Sequence, residues 1–125
     1  MSIATPQAGV AAPSVAPQVT AEELAAVGAA LADTTRVRML RLLEANEEVA
    51  CAALEATFAL TKSTISYHVR VLRHAGLIRV RKAGKFYHYA LLREEIAVRF
   101  PGLLELMAAP ALPEIAGGAD TTDCD

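Results

Sequence analysis

The chain has 125 residues, 54% of them hydrophobic, and a formal net charge of -2 at pH 7. That length suffices for one domain with a real core but not for two ordinary ones, and the composition excludes fibrous, coiled-coil and disulfide-rich classes. The net charge excludes a uniformly basic coat. It does not exclude a basic face, because attraction to phosphate depends on where the charge sits.

Residues 1–18 are mostly Ala, Pro, Ser and Gln and are expected to form a flexible arm. They carry neither the basic nor the apolar run of a leader, and no stretch approaches the roughly 20 apolar residues of a membrane span. Cysteine is sparse, with Cys51 inside the patterned region and Cys124 next to the end, which points to a reducing, cytoplasmic setting. The folded domain is expected over 19–108, followed by a flexible acidic tail over 109–125.

Thr20 with Glu23 predicts a capping box that opens a helix over about 21–31, with Leu24, Val27 and Leu31 on one stripe. Asp33 or Thr34 caps a second helix. There Val37, Met39, Leu40, Leu42 and Leu43 form an apolar face, and Arg36, Arg38 and Arg41 are expected to point mostly elsewhere. A polar turn over 44–48 precedes a two-turn helix from Cys51 to Phe58 with Leu54 and Phe58 inward. Thr61 caps the next helix, Lys62 to about His74, whose buried side is Ile65, Val69 and Leu72; Gly76 ends it. The period then changes from 3.6 to 2. Ile78 and Val80 alternate with Arg79 and Arg81, Ala83-Gly84 makes a turn, and Tyr87, Tyr89 and Leu91 alternate with Phe86 and His88, so both tyrosines are expected in the core. Helical segments follow Arg93 and Pro101, the last contributing Leu103, Leu104, Leu106 and Met107, more apolar surface than a small monomer exposes by preference. The fold class is mainly α: about five helices with a two-stranded β-hairpin.

A short helix, a tight connection and a capped helix with a polar outer face have the geometry of a helix-turn-helix. Thr61 to Leu92 holds seven of the chain's twelve Lys and Arg and no Asp or Glu. On the capped helix Lys62, Ser63, Ser66, Tyr67 and Arg70 present cations, hydroxyls and a phenol suited to base edges and phosphates of a duplex. Arg79, Arg81, Lys82 and Lys85 on the hairpin are placed to reach flanking backbone or a minor groove. The rival use of such a face is docking an acidic protein partner. No glycine-rich phosphate cradle, carboxylate pair or nucleophile with a base is present, so no catalytic residue is assigned and an enzyme is not expected. His68, His74 and His88 lack the spacing of a compact zinc site.

The segments LADTTRVRMLRLLE, CAALEATF and LTKSTISYHVRVLRHAGLIRVRKAGKFYHYAL resemble the arsenic-repressor (ArsR/SmtB) family of winged-helix transcriptional repressors, over about Ala29 to Leu92. The resemblance implies that the helix beginning near Lys62 is the recognition helix, which adds Thr64 and His68 to the DNA-contacting set, and that the hairpin is the wing. It also implies a homodimer built from the first and last helices, with Leu24, Val27, Leu31, Leu103, Leu104 and Met107 as contacts. A two-fold assembly would bind a palindromic operator and release it on meeting an effector.

Metal or metalloid effectors belong to that family, but its Cys-x-Cys pattern falls here with Ala50 and Ala52 at the cysteine positions and Cys51 between them. Residues 93–107 contain no His. No metal site and no cofactor are therefore predicted. Cys51 is read first as a small core thiol; a redox or thiol-sensing residue, and a metal ligand completed from a partner subunit, the tail or Cys124, are the alternatives.

Overall fold

The structure, a computed structural model, describes residues 18–109. The arm expected over 1–18 and the tail over 109–125 lie outside the described residues except at Gln18 and Ala109. The described chain runs α1 (Ala21–Leu31), α2 (Thr34–Glu44), β1 (Val49–Ala50), α3 (Cys51–Phe58), α4 (Lys62–His74), β2 (Ile78–Ala83), β3 (Phe86–Leu91), α5 (Arg93–Arg99) and α6 (Leu103–Ala108). It is a mainly helical fold with an antiparallel hairpin, as expected.

Local chemistry sets the helix starts. The Thr20 hydroxyl accepts from the Glu23 amide at 3.0 Å and Glu23 accepts from the Thr20 amide at 3.0 Å, completing the capping box. Asp33 accepts from the Arg36 amide at 3.0 Å, and Thr61 from the Thr64 amide at 3.2 Å. Each such cap contributes about 1 kcal/mol. At the opposite end of α2, the Arg93 guanidinium donates to the carbonyls of Leu43 (3.1 Å), Glu44 (2.8 Å) and Asn46 (3.2 Å), satisfying orphan acceptors and fixing where α5 begins.

One core joins these elements. Met39, Leu40 and Leu43 of α2, Leu54 of α3, Ile65 and Leu72 of α4, and Ile78 and Ile96 are fully buried, each stabilising the fold by about 1.5–3 kcal/mol. Ile65, Val69 and Leu72, the predicted inner row of α4, are all buried. The outer side of that helix is thereby held facing away from the core.

The sheet differs from the expected two-stranded hairpin. Its order is β1-β3-β2, with Val49 paired to Tyr89 and Ala50 to His88 on one side of β3, and Ile78↔Leu91 through Ala83↔Phe86 on the other. A strand of two residues is too short to show a period, so β1 left no mark in the pattern.

Three side chains depart from the expectation. Arg36 is buried, not outward: its Nε donates to the Ala30 carbonyl and an Nη to the Ala29 carbonyl, both at 3.0 Å, so it satisfies the last turn of α1. Tyr87 is 43% exposed, because it faces an open cleft between the hairpin and α4, whereas Tyr89 is buried in the core. Val27 is 5% exposed and packs within its own protomer. Among the described residues no helix is long and apolar enough to cross a membrane.

Candidate nucleic-acid interface

α3 ends at Ala59 in a left-handed conformation (φ 54°, ψ 43°), Leu60 follows half-buried, and Thr61 begins α4. This short turn sets α4 across α3 and leaves its outer side to solvent. Lys62, Ser63, Ser66 and Arg70 are exposed, and Tyr67 is 52% exposed. They form one polar face, as the spacing predicted.

Two candidates on the same helix lie elsewhere. Thr64 is half-buried, and its hydroxyl accepts from the Thr61 hydroxyl at 3.0 Å, so it belongs to the cap. His68 is buried beneath the face, with Nδ1 3.2 Å from an Arg36 Nη and its ring 5.4 Å from that of Tyr67. Arg36 has only donors, so Nδ1 must accept and the imidazole is the neutral Nε2–H tautomer. Burial pushes the His68 pKa below its ordinary value; Asp33 pulls it up and Arg36 pushes it further down.

The hairpin divides its cations between two sides. Val80 and Tyr89 lie opposite each other over the core, so Lys82 and its partner Tyr87 share that side, turned toward α4, with the Lys82 ammonium 5.7 Å from the Tyr87 ring centre. A cleft of about 270 Å³ between α4 and the hairpin is lined by Ser66, Arg70, Arg73 and Tyr87 among others. A neighbouring one of about 340 Å³ lies between Lys62, Ser66, Lys85 and the start of α3. Alternation places Arg79 and Arg81 on the reverse side. There the Glu48 carboxylate receives Arg81 through two bonds, 2.7 and 2.9 Å, and lies 3.9 Å from Arg79. The hydrogen bonds from Arg81 hold the Glu48 carboxyl below the usual carboxylate range. Among the described residues, Lys62, Arg70, Lys82 and Lys85 have no carboxylate within ion-pair distance. Local segregation of charge thus survives a net charge of -2.

Cys51 opens α3 beneath this surface. Its thiol donates to Glu55 at 3.5 Å. Burial pushes its pKa up, the Glu55 bond and charge add to the rise, and Tyr89 and Lys62 oppose it, so the unreactive thiol form is favoured at neutral pH. Among the described residues no group of three or more His, Cys, Asp or Glu is arranged to hold a metal ion.

The proposed dimer residues are differently exposed. Leu24 is 59% exposed, whereas Leu31, Leu103, Leu104 and Met107 are half-buried against the core. Leu106 and Val98, outside the expected dimer contacts, are 62% and 60% exposed.

A helix-turn-helix whose second helix offers an uncompensated polar face beside a basic hairpin is a winged helix-turn-helix of the DNA-binding class. Comparison with known proteins gives the same class. The family model described as helix-turn-helix domain matches residues 31–81. The uncharacterized HTH-type transcriptional regulator YceK of Bacillus subtilis is 32% identical over 79 residues, covering 62% of this chain and 79% of YceK. The transcriptional repressor SmtB homolog of Synechocystis is 32% identical over 71 residues, 57% of this chain and 53% of that protein, so the chain spans about half its length. Among solved structures, the homodimeric winged helix-turn-helix DNA-binding domain of Mb0332 from Mycobacterium bovis has a TM-score of 0.56 at 26% identity, covering 70% of this chain and 73% of that one. The chain belongs to the helix-turn-helix transcriptional regulators, with a winged domain related to the ArsR/SmtB-like proteins.

Proposed function

We propose that this regulator is a repressor of the arsenic-repressor (ArsR/SmtB) family that binds a palindromic operator as a homodimer in the cytoplasm and is released by an effector. The observation that carries the reading is the outward row of α4, where Lys62, Ser66, Tyr67 and Arg70 are exposed and the two cations have no carboxylate partner among the described residues. In this reading Ser63, Ser66, Tyr67 and Arg70 meet base edges in the major groove, while Lys62 and the wing's Lys82 and Lys85 hold phosphates. Arg79 and Arg81 join from the wing's reverse side only when freed from Glu48. Thr64 and His68 act through the geometry of α4 and not by contact.

One recognition helix of this length reads few base pairs, and a two-fold pair doubles the contacts with half-sites about one helical turn apart. The homodimeric state of the Mb0332 domain supports the pair, as do the exposed apolar side chains of Leu24, Val98 and Leu106 on α1, α5 and α6. Residues 19–108 are the DNA-binding and dimerisation unit. The effector is sought by titrating the protein–DNA complex with zinc, nickel, arsenite and an oxidant, and, if none of them releases the DNA, with organic ligands.

Selection of bound duplexes from a random pool with the full chain tests the reading. Enrichment of an inverted repeat is expected. Recovery of duplexes without a shared symmetric sequence, at the affinity shown for any polyanion, would favour docking of an acidic protein partner instead.

A further inference from the structure

We propose that Glu48 regulates the charge of the wing: its carboxylate occupies the guanidinium groups of Arg81 and Arg79 and withholds them from phosphates of non-operator DNA. The inference rests on the DNA-binding reading above and adds a residue that sets specificity. The basic stretch from Thr61 to Leu92 contains no acid of its own, and the carboxylate arrives from 33 positions before Arg81, on the turn leading into β1.

The sheet register explains how it gets there. Val49, Tyr89 and Val80 form one row across the sheet over the core, so the neighbouring positions in each strand face the other way. Arg79 lies opposite Ala90 on the central strand, and the single methyl of Ala90 leaves room for Glu48 to reach across β3 to the edge strand β2. The fork of Arg81 then closes on both carboxylate oxygens at 2.7 and 2.9 Å, with Arg79 at 3.9 Å from one of them.

The pair is placed to be exchanged. The Arg79 and Arg81 side chains are 54% and 49% exposed, and Glu48 is 28% exposed, so water and ions reach all three. A guanidinium fork bonds carboxylate and phosphate through the same two-pronged geometry, which makes the Glu48 carboxylate a resident competitor for a DNA phosphate. Its own negative charge opposes any duplex phosphate that comes within a Debye length of about 10 Å. Lys82 and Lys85 near the tip have no such partner among the described residues. Contact energy is thereby concentrated where the wing and α4 act together, and indiscriminate attraction at the wing's base is reduced.

The test compares the full-length wild type, Glu48→Gln and Glu48→Gln/Arg81→Gln on a fluorescent random-sequence duplex and on the operator recovered by selection, across a salt series. Glu48→Gln should bind the random duplex about three- to tenfold more tightly at low salt, with the slope of log Kd against log salt steeper by about one. It should also narrow the preference for operator. The added Arg81→Gln should return affinity and slope to wild-type values. Wild-type affinity and slope in Glu48→Gln, when the wild type itself binds in a salt-dependent way, would overturn the proposal and leave the DNA reading standing. Absence of salt-dependent binding by the wild type would overturn both. An NMR signal of Arg81 Nε–H that is the same in free wild type and free Glu48→Gln would overturn the proposal by itself, since the pair would not exist in solution.

Discussion

An Arg36 guanidinium nitrogen lies 3.2 Å from Nδ1 of His68, linking α2 to the underside of α4 while the same guanidinium holds the carbonyls of Ala29 and Ala30 in the last turn of α1. The contact requires a neutral imidazole. Burial, with Arg36 assisting and Asp33 opposing, holds the His68 pKa below its ordinary 6.5, so the folded chain binds this proton more weakly than the unfolded chain does. Stability is then greatest above about pH 6.5 and falls as pH drops through that value toward the folded pKa, because protonation favours the unfolded state. Glu23 and Glu48, whose carboxyls are held low, act in a separate window below 4.5, where stability falls as pH decreases. Urea melts between pH 7.5 and 5.5 should show the His68 slope. His68→Asn, which retains an acceptor near Nδ1 without a titrating ring, should flatten it; an unchanged slope would assign the effect to other groups.

Ala59 is the only non-glycine among the described residues with positive φ, and it forms the turn that precedes α4. An L side chain in the left-handed region costs about 1–2 kcal/mol, which glycine avoids at a smaller cost in unfolded-chain entropy. Ala59→Gly should therefore raise the urea midpoint by an amount equivalent to about 0.5–1 kcal/mol with an unchanged m-value. A lower midpoint would mean that the methyl contributes packing that outweighs its strain.

Leu106 is 62% exposed on α6, so a charge there disturbs little within the protomer. If this surface is the homodimer seam, Leu106→Asp should remain folded by circular dichroism, sediment as a monomer, and lose about tenfold or more in operator affinity. A variant that sediments with wild-type mass and binds as the wild type does would remove α6 from the interface.

How much of this was legible in the sequence depended on the range of the interaction. The caps at Thr20, Asp33 and Thr61 reach only three residues along the chain, and all were readable. So was the inner row Ile65, Val69 and Leu72, because a helix repeats its burial every turn. The burial of Arg36 was not, since its acceptors are backbone carbonyls that carry no side-chain signature. Nor was the pairing of Arg81, because its acid lies on another strand entry far along the chain, and a charge run gives no hint of which member is neutralised. The exposure of Tyr87 was not legible either, because strict alternation gives the side of a strand a residue faces and not whether that side is packed or opens into a cleft. Val27 and Leu106 illustrate the converse: a stripe identifies apolar positions, but only packing decides which face the protomer and which face out.

Arg70 is exposed on α4 and free of any carboxylate partner among the described residues. The most direct measurement is the affinity of wild type and Arg70→Ala for the selected operator and for each of its single-base variants, at several salt concentrations. The wild type should lose affinity steeply with salt, and Arg70→Ala should cost about 1–3 kcal/mol on the operator and relax the preference at one position in each half-site. Equal binding of operator by wild type and Arg70→Ala, with base preference unchanged, would contradict the assignment of α4 as the helix that reads DNA.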